Sequence, residues 1–240
     1  MKLTLNRSQL KWIAILAMTI DHIALAFLDS GTSLYFGMRL IGRITAPMMS
    51  FFLAEGFRHT RNFRNYLSRM LLFALIAQPF YFFLVNGRYA EHIWENLLCL
   101  NVMFTLSISL VMLRIVSRKD LSIHKRIFLL LPCFMIADMC DWSYCIPVWV
   151  LLFYYMKEPY WKRDLLYILV SAVMMTIRIL SLHGLEPEYL YCYGVLLAVI
   201  PMHLYNSNVQ QKSRKQLEKW AFYIYLNFHP NLTLIRKKSR

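Results

Sequence analysis

Asp21 and His22 stand side by side within an apolar run, LKWIAILAMTIDHIALAFL, from Leu10 to Leu28. Ionisable side chains are costly in hydrocarbon and persist there mainly where they face a bundle interior or a wet cavity. Imidazole has a reference pKa of about 6.5, which suits proton transfer near neutrality. His22 is therefore a candidate general base. Adjacent helical residues diverge by about 100°, so Asp21 is expected to meet another helix rather than orient His22. At about 1.5 Å per residue, His22 lies roughly 18 Å beyond Leu10, past the middle of a core of about 30 Å. The competing account makes both residues polar glue between helices.

Other chemistry-bearing residues are spread along the chain. Arg39 and Arg43 enter a second apolar stretch, and a buried arginine wants a carboxylate: Asp21, Asp138 or Asp141 would serve. Snorkelling to the headgroups is the alternative. Glu55 leads into Gly56, Arg58, His59 and Arg61, a basic set suited to gripping phosphates. Membrane topology alone also accounts for those arginines. Asn101 and Thr105 lie one turn apart and either line a pocket or bond between helices. Asp138 and Asp141 are three apart and share a face if helical. With Trp142 and Tyr144 they would receive an ammonium or carbonyl substrate, or else form a polar outer loop. His229, in KWAFYIYLNFHPNLTLI, is a second histidine at depth and a candidate partner of His22. An interfacial aromatic belt explains it as well.

The elements that must position these residues are membrane helices. The 240 residues are 58% hydrophobic and 17% charged, with a mean hydropathy of +0.43. Soluble domains run nearer 45–50% apolar and about 25% charged. The spacing predicts spans at Leu10–Leu28, Leu40–Phe57, Leu67–Val85, Leu97–Val116, Ile127–Ala137, Cys145–Met156, Leu165–Leu182 and Tyr189–Tyr205. A ninth segment, Trp220–Ile235, reads as partly embedded. The fold class is thus all-α: a polytopic helical bundle of about eight spans, forming one transmembrane domain over residues 1–240. Pro132, Pro147 and the ADMCDWSY stretch between them predict broken or tilted helices around a polar pocket. No internal repeat is visible.

Net charge is +14, from 27 Lys and Arg against 13 Asp and Glu. The basic residues sit in alternate short loops, which is the positive-inside pattern and not a nucleic-acid patch. It places the N-terminus in the cytoplasm. The five cysteines form no CxxC pair, so no metal site is expected; a Cys140–Cys145 disulfide is conceivable but unsupported. The basic N-terminus before an apolar run lacks a small-residue cleavage pattern, and an uncleaved first span is expected.

Three stretches carry a family resemblance: LKWIAILAMTIDHIALAFL, MRLIGRITAPMMSFFLAEGFRHTRNFRNYLSRMLLFALIAQPFYFFL and NVMFTLSISLVML, in order. They resemble the TraX family. ADMCDWSYCIPVWVLLFYY and FYIYLNFHPNL are similar to its later segments, although here Pro230 follows His229 where the family pattern puts proline first. The resemblance implies an integral membrane acetyltransferase with acetyl-CoA as donor. It also implies an acceptor such as the N-terminal amine of a pilin-like subunit. Asp21, His22, Arg43 and the Glu55–Asn62 stretch match the pattern where they stand.

The expected mechanism follows. His22 takes the acceptor's proton or carries the acetyl group, with His229 as partner. Asp21, Arg43, Glu55, Asn101, Asp138 and Asp141 hold the acceptor's surroundings, and Arg58, His59 and Arg61 grip the donor. At pH 7 roughly a tenth of an α-amine is neutral, against about 0.04% of a lysine, so a histidine handles an N-terminus more easily. A hydroxyl acceptor stays open. The rival classes are a small-molecule or proton-coupled transporter and a non-catalytic pilus-assembly protein, either of them bound by membrane lipid.

Overall fold

The computed structural model describes residues 4–88, 99–182 and 186–205. Within them the chain is helical, without a strand; two isolated bridges, Leu5 with Tyr205 and Leu100 with Cys140, are the extended pairings. Trp220–Ile235 and His229 lie outside the described residues. The chain forms two compact units: Met1–Met49 with Glu158–Arg240, and Ser50–Lys157.

In the first unit, α1 runs Arg7–Phe27, 21 residues or about 32 Å, enough to cross a hydrocarbon core. Its start is set by a capping box in which the Asn6 side chain accepts from Gln9 N and the Gln9 side chain accepts from Asn6 N. Leu10, Ala14, Ala17 and Ala24 form its buried stripe, and Asp21 falls on the same line. Trp12, Leu16, Ile23 and Phe27 point outward. Alanine spacing lets α2, Ser33–Gly42, lie close against this face.

The expected second span, Leu40–Phe57, is instead divided. α2 ends at Gly42 and α3, Thr45–His59, begins after the short break at Arg43 and Ile44. The break is stabilised by Arg43, whose side chain turns back to α1, and by the Thr45 hydroxyl donating to Ala14 O at 3.4 Å. Gly42 is needed there: a Cβ on it would overlap the Asp21 side chain.

The unit resumes with α8, Tyr160–Leu182, about 34 Å long. Arg163, Asp164, Tyr167, Ser171, Met175 and Ile179 face inward, while Trp161, Leu165, Leu169, Val173, Ile177 and Leu180 face outward. α1 and α8 are the described helices long and apolar enough to cross a membrane. The chain then winds as a 3-10 helix over Pro187–Ala198 before α9, Val199–His203, where a uniform α-span is the sequence expectation. Such long 3-10 runs are uncommon. Packing imposes this one: Gly194 sits so near the Leu40 carbonyl that a Cβ would collide with it. The Tyr167 hydroxyl donates to Val195 O, and Thr176 and Tyr193 share a hydroxyl hydrogen bond of 2.7 Å. At about 2.0 Å per residue for the 3-10 part, this segment reaches about 32 Å, matching α1 with fewer residues.

In the second unit, α4 (Phe63–Arg88) packs on α5 (Val102–Ser117). α5 is buried nearly all round and also touches α6 (Ile123–Asp138) and α7 (Cys145–Tyr155). α6 buries Ala137 and exposes Ile127, Phe128, Leu131, Met135 and Ile136, as a lipid-facing helix does. Pro79 and Pro132 lie inside α4 and α6 without ending them. The break falls at Met139–Tyr144, within the ADMCDWSY stretch, where Trp142 and Ser143 adopt positive φ values of 64° and 46°. Pro147 is accommodated in the first turn of α7, where its missing N–H has no helical partner to lose. Cys140 and Cys145 are both free thiols.

Candidate functional site

Asp21 is the centre of the first constellation. Its buried-stripe position aims it at α2. Arg39 Nη1 donates to Oδ2 at 2.8 Å, and Arg43 Nη2 donates to Oδ1 at 2.8 Å and Oδ2 at 2.9 Å. The three side chains are only 10–14% exposed. One carboxylate faces two guanidiniums, so the group carries one positive charge in excess. Aromatic rings take up that excess. Arg39 lies 5.8 Å from the Tyr35 ring centre and 5.1 Å from that of Tyr191, and Arg43 lies 5.7 Å from Tyr191. Tyr35 and Tyr191 meet edge to face, and Ala24 and Cys192 complete the surroundings. Arg39 Nε is buried with no hydrogen-bond partner; its guanidinium face is what the rings cover. Asp21 therefore meets another helix, and Arg43 finds Asp21 rather than Asp138 or Asp141.

His22 is half-buried beside this group, and its Nδ1 lies 2.7 Å from Met18 O on its own helix. A carbonyl only accepts, so Nδ1 carries the hydrogen and the neutral ring keeps its basic lone pair on Nε2. Asp21 is not the group that orients it.

A second constellation in the same unit joins α8 to α9. Arg163 Nε and Nη2 donate to Asp164 Oδ1 at 2.9 and 2.7 Å. His203 Nδ1 lies 2.6 Å from Asp164 Oδ2. Arg163 also donates to Met202 O at 3.2 Å and lies over the Tyr160 ring. Arg163 and Asp164 are buried, while the His203 side chain is 62% exposed. Sequence reading takes Arg163 and Asp164 only as loop charges and passes over His203. Their contact spans 39 positions, and no periodicity announces it. Invisible for the same reason are Tyr35 and Tyr191, although they wall the Asp21 group.

In the second unit, Arg58 Nη1 pairs with Glu55, while Nη2 donates to the carbonyls of Phe153 and Tyr154 at 2.7 and 2.6 Å. Those carbonyls close the C-terminal turn of α7, which carries negative partial charge. Glu55 and Arg58, expected to hold acceptor and donor, are thus engaged in a helix cap. His59 and Arg61 are exposed; His59 Nε2 lies 3.9 Å from Glu55 Oε2. Asn101 is 3% exposed and caps α5: its side chain accepts from Met103 N and donates to Ala74 O and Gln78 Oε1, both at 2.8 Å. As placed, it fixes the start of α5 against α4. Asp138 is exposed and accepts from the Ser143 hydroxyl at 2.8 Å, while Asp141 Oδ1 accepts from Trp142 N at 3.0 Å. Thr105 donates to the Asp141 carbonyl at 2.7 Å. Both acids tie down the positive-φ turn. Among the described residues no group of three or more His, Cys, Asp or Glu is placed to hold a metal ion.

No solved structure matches the chain. A probable fimbrial assembly protein FimC, serogroup H1, of Dichelobacter nodosus is 32% identical over 226 residues, covering 92% of this chain and 91% of the relative. The family described as TraX protein matches residues 6–236, and the chain belongs to the TraX family.

Proposed function

We propose that this protein is an integral membrane acetyltransferase that moves an acetyl group from acetyl-CoA to an amine at the membrane, the acceptor being the N-terminus of a pilin- or fimbrial-type subunit. The acceptor class follows the name of the Dichelobacter relative, a fimbrial assembly protein. The bundle crosses an inner membrane about eight times with its N-terminus inside. That topology is supported by the loop charge alternation and by the lengths of α1, α8 and the 3-10 segment with α9. One observation carries the chemistry. Among its described residues the first unit holds two imidazoles, His22 and His203, each with hydrogen on Nδ1 and a basic lone pair on Nε2. An amine that attacks a thioester must lose a proton as the C–N bond forms, and such a nitrogen receives it. In this reading the Asp21–Arg39–Arg43 group is the interior ion cluster that fixes α1 to α2.

The test uses purified full-length protein in detergent, radiolabelled acetyl-CoA and a short pilin-like peptide. Protein-dependent label in the peptide supports the enzyme. Absence of label on amine and hydroxyl acceptors alike leaves the second reading, a non-catalytic pilus-assembly protein. The engagement of Glu55, Arg58 and Asn101 in helix caps favours that alternative.

A further inference from the structure

We infer that Arg163, Asp164 and His203 form the acid–base centre of the proposed transfer, with His203 as the catalytic residue and Asp164 as its positioning residue. The inference rests on the acetyl-transfer reading and assigns to His203 the role that sequence spacing gives to His22. Four observations carry it.

The imidazole is held by a carboxylate. Asp164 Oδ2 lies 2.6 Å from His203 Nδ1, and an ionised carboxylate only accepts, so the ring is fixed with Nε2 as its basic nitrogen. The Nδ1 of His22 instead meets Met18 O, a main-chain carbonyl of its own helix, while Asp21 is held by two arginines. The carboxylate is itself fixed: Arg163 grips Oδ1 through two nitrogens, and Met202 O and the Tyr160 ring hold Arg163. The anchored half is buried while the ring is 62% exposed, the distribution that a working acid–base group needs. A tie meant only to join α8 and α9 would not require an open ring. Finally, in the topology proposed above the centre lies at the cytoplasmic end of the helices, the side from which acetyl-CoA comes. Leu5 N donates to Leu204 O at 2.7 Å, which puts the end of α9 at the beginning of α1, roughly 20 Å along the helix from Asp21. Arg7 and Lys162 are at the same end, in the first turns of α1 and α8.

The step balances. The neutral amine nitrogen attacks the thioester carbonyl carbon and the C–N bond forms. The nitrogen's proton passes to His203 Nε2. The C–S bond breaks, and the departing thiolate takes that proton from the imidazolium to leave as a thiol. Asp164 stays ionised and keeps the ring in place.

The test compares wild type with His203→Ala, a substitution at an exposed ring, with the elution profile checking that the variant is folded. Expected is a fall in kcat of about 100-fold at nearly constant KM for the peptide, partly restored by added imidazole. Transfer at the wild-type rate, or a loss that imidazole does not restore, overturns the assignment. A second readout needs no turnover. Diethyl pyrocarbonate acylates an unprotonated imidazole nitrogen, and peptide mapping gives the rate at each histidine. His203 reacts several-fold faster than the exposed His59, and more slowly in Asp164→Asn; equal rates in all three cases overturn the centre. Should wild type move no label while His203 still reacts selectively, the acetyl-transfer reading fails and the oriented imidazole stands.

Discussion

Asp21→Asn is the substitution with the largest expected consequence for folding. It removes the one carboxylate that faces two buried guanidiniums, while keeping volume and some hydrogen bonding. Removing one partner from a buried ion pair costs about 3–5 kcal/mol, because the remaining charge is left uncompensated. For a protein of this length 1 kcal/mol moves the midpoint by about 2–4 °C, so the loss is about 6–20 °C. The single arginine substitutions behave differently. Arg43→Gln leaves Asp21 paired with Arg39, and Arg39→Gln leaves it paired with Arg43, so each keeps a neutral couple. Both should lose less than Asp21→Asn. The double variant Asp21→Asn with Arg43→Gln leaves one stranded cation instead of two, and its loss should fall short of the sum of the singles. The assay is thermal unfolding of detergent-solubilised protein, followed by loss of the monodisperse elution peak. If Asp21→Asn proved no worse than either arginine variant, or the double variant were additive, the interior ion cluster would not be what joins α1 to α2.

Four further outcomes follow. Gly194→Ala places a methyl group against the Leu40 carbonyl and should cost about 1–3 kcal/mol, whereas Gly37→Ala, with nothing within 4 Å, should leave the midpoint unchanged or raise it. Asn101→Ala removes the cap of α5 and two side-chain donations, and should cost about 1–3 kcal/mol in the same melting assay. His22→Gln should keep peptide acetylation within a few-fold of wild type if His203 is the base; abolition of labelling by that change would return the role to His22. The Arg118 hydrogen bond holds the Asp120 carboxyl below the usual carboxylate range, so this pair's contribution is present above the ordinary carboxylate pKa and lost as pH falls through the lowered one. Both side chains are exposed and the pair is screened by solvent, so Asp120→Asn should leave melting curves superimposable on wild type at neutral pH.

The helical architecture is legible in the chain because lipid leaves few alternatives: long apolar runs must satisfy their backbone internally. That Asp21 meets another helix is legible because it cannot share a face with His22; the inward stripe of Leu10, Ala14, Ala17 and Ala24 is set by packing. Arg43 shows by cost alone that it needs a carboxylate. What spacing does not show is where a run is cut. Leu40–Phe57 looks continuous, and only the pull of Asp21 on Arg43 and the tight fit at Gly42 reveal the turn between α2 and α3. The 3-10 winding of Pro187–Ala198 is likewise a product of contacts with Leu40 and Tyr167, which are distant in sequence. Adjacent Asp21 and His22 advertise a dyad that helical geometry forbids. Asp164 and His203, separated by 39 positions, form one without any local signal.

The central claim is acyl transfer to a free amine, and the most direct measurement offers the purified protein two peptides that differ only at that group. One carries a free N-terminus and the other an N-formyl cap, each incubated with radiolabelled acetyl-CoA. The account predicts that label accumulates in the free peptide and stays at background in the capped one. Equal labelling of both, or of neither, contradicts it.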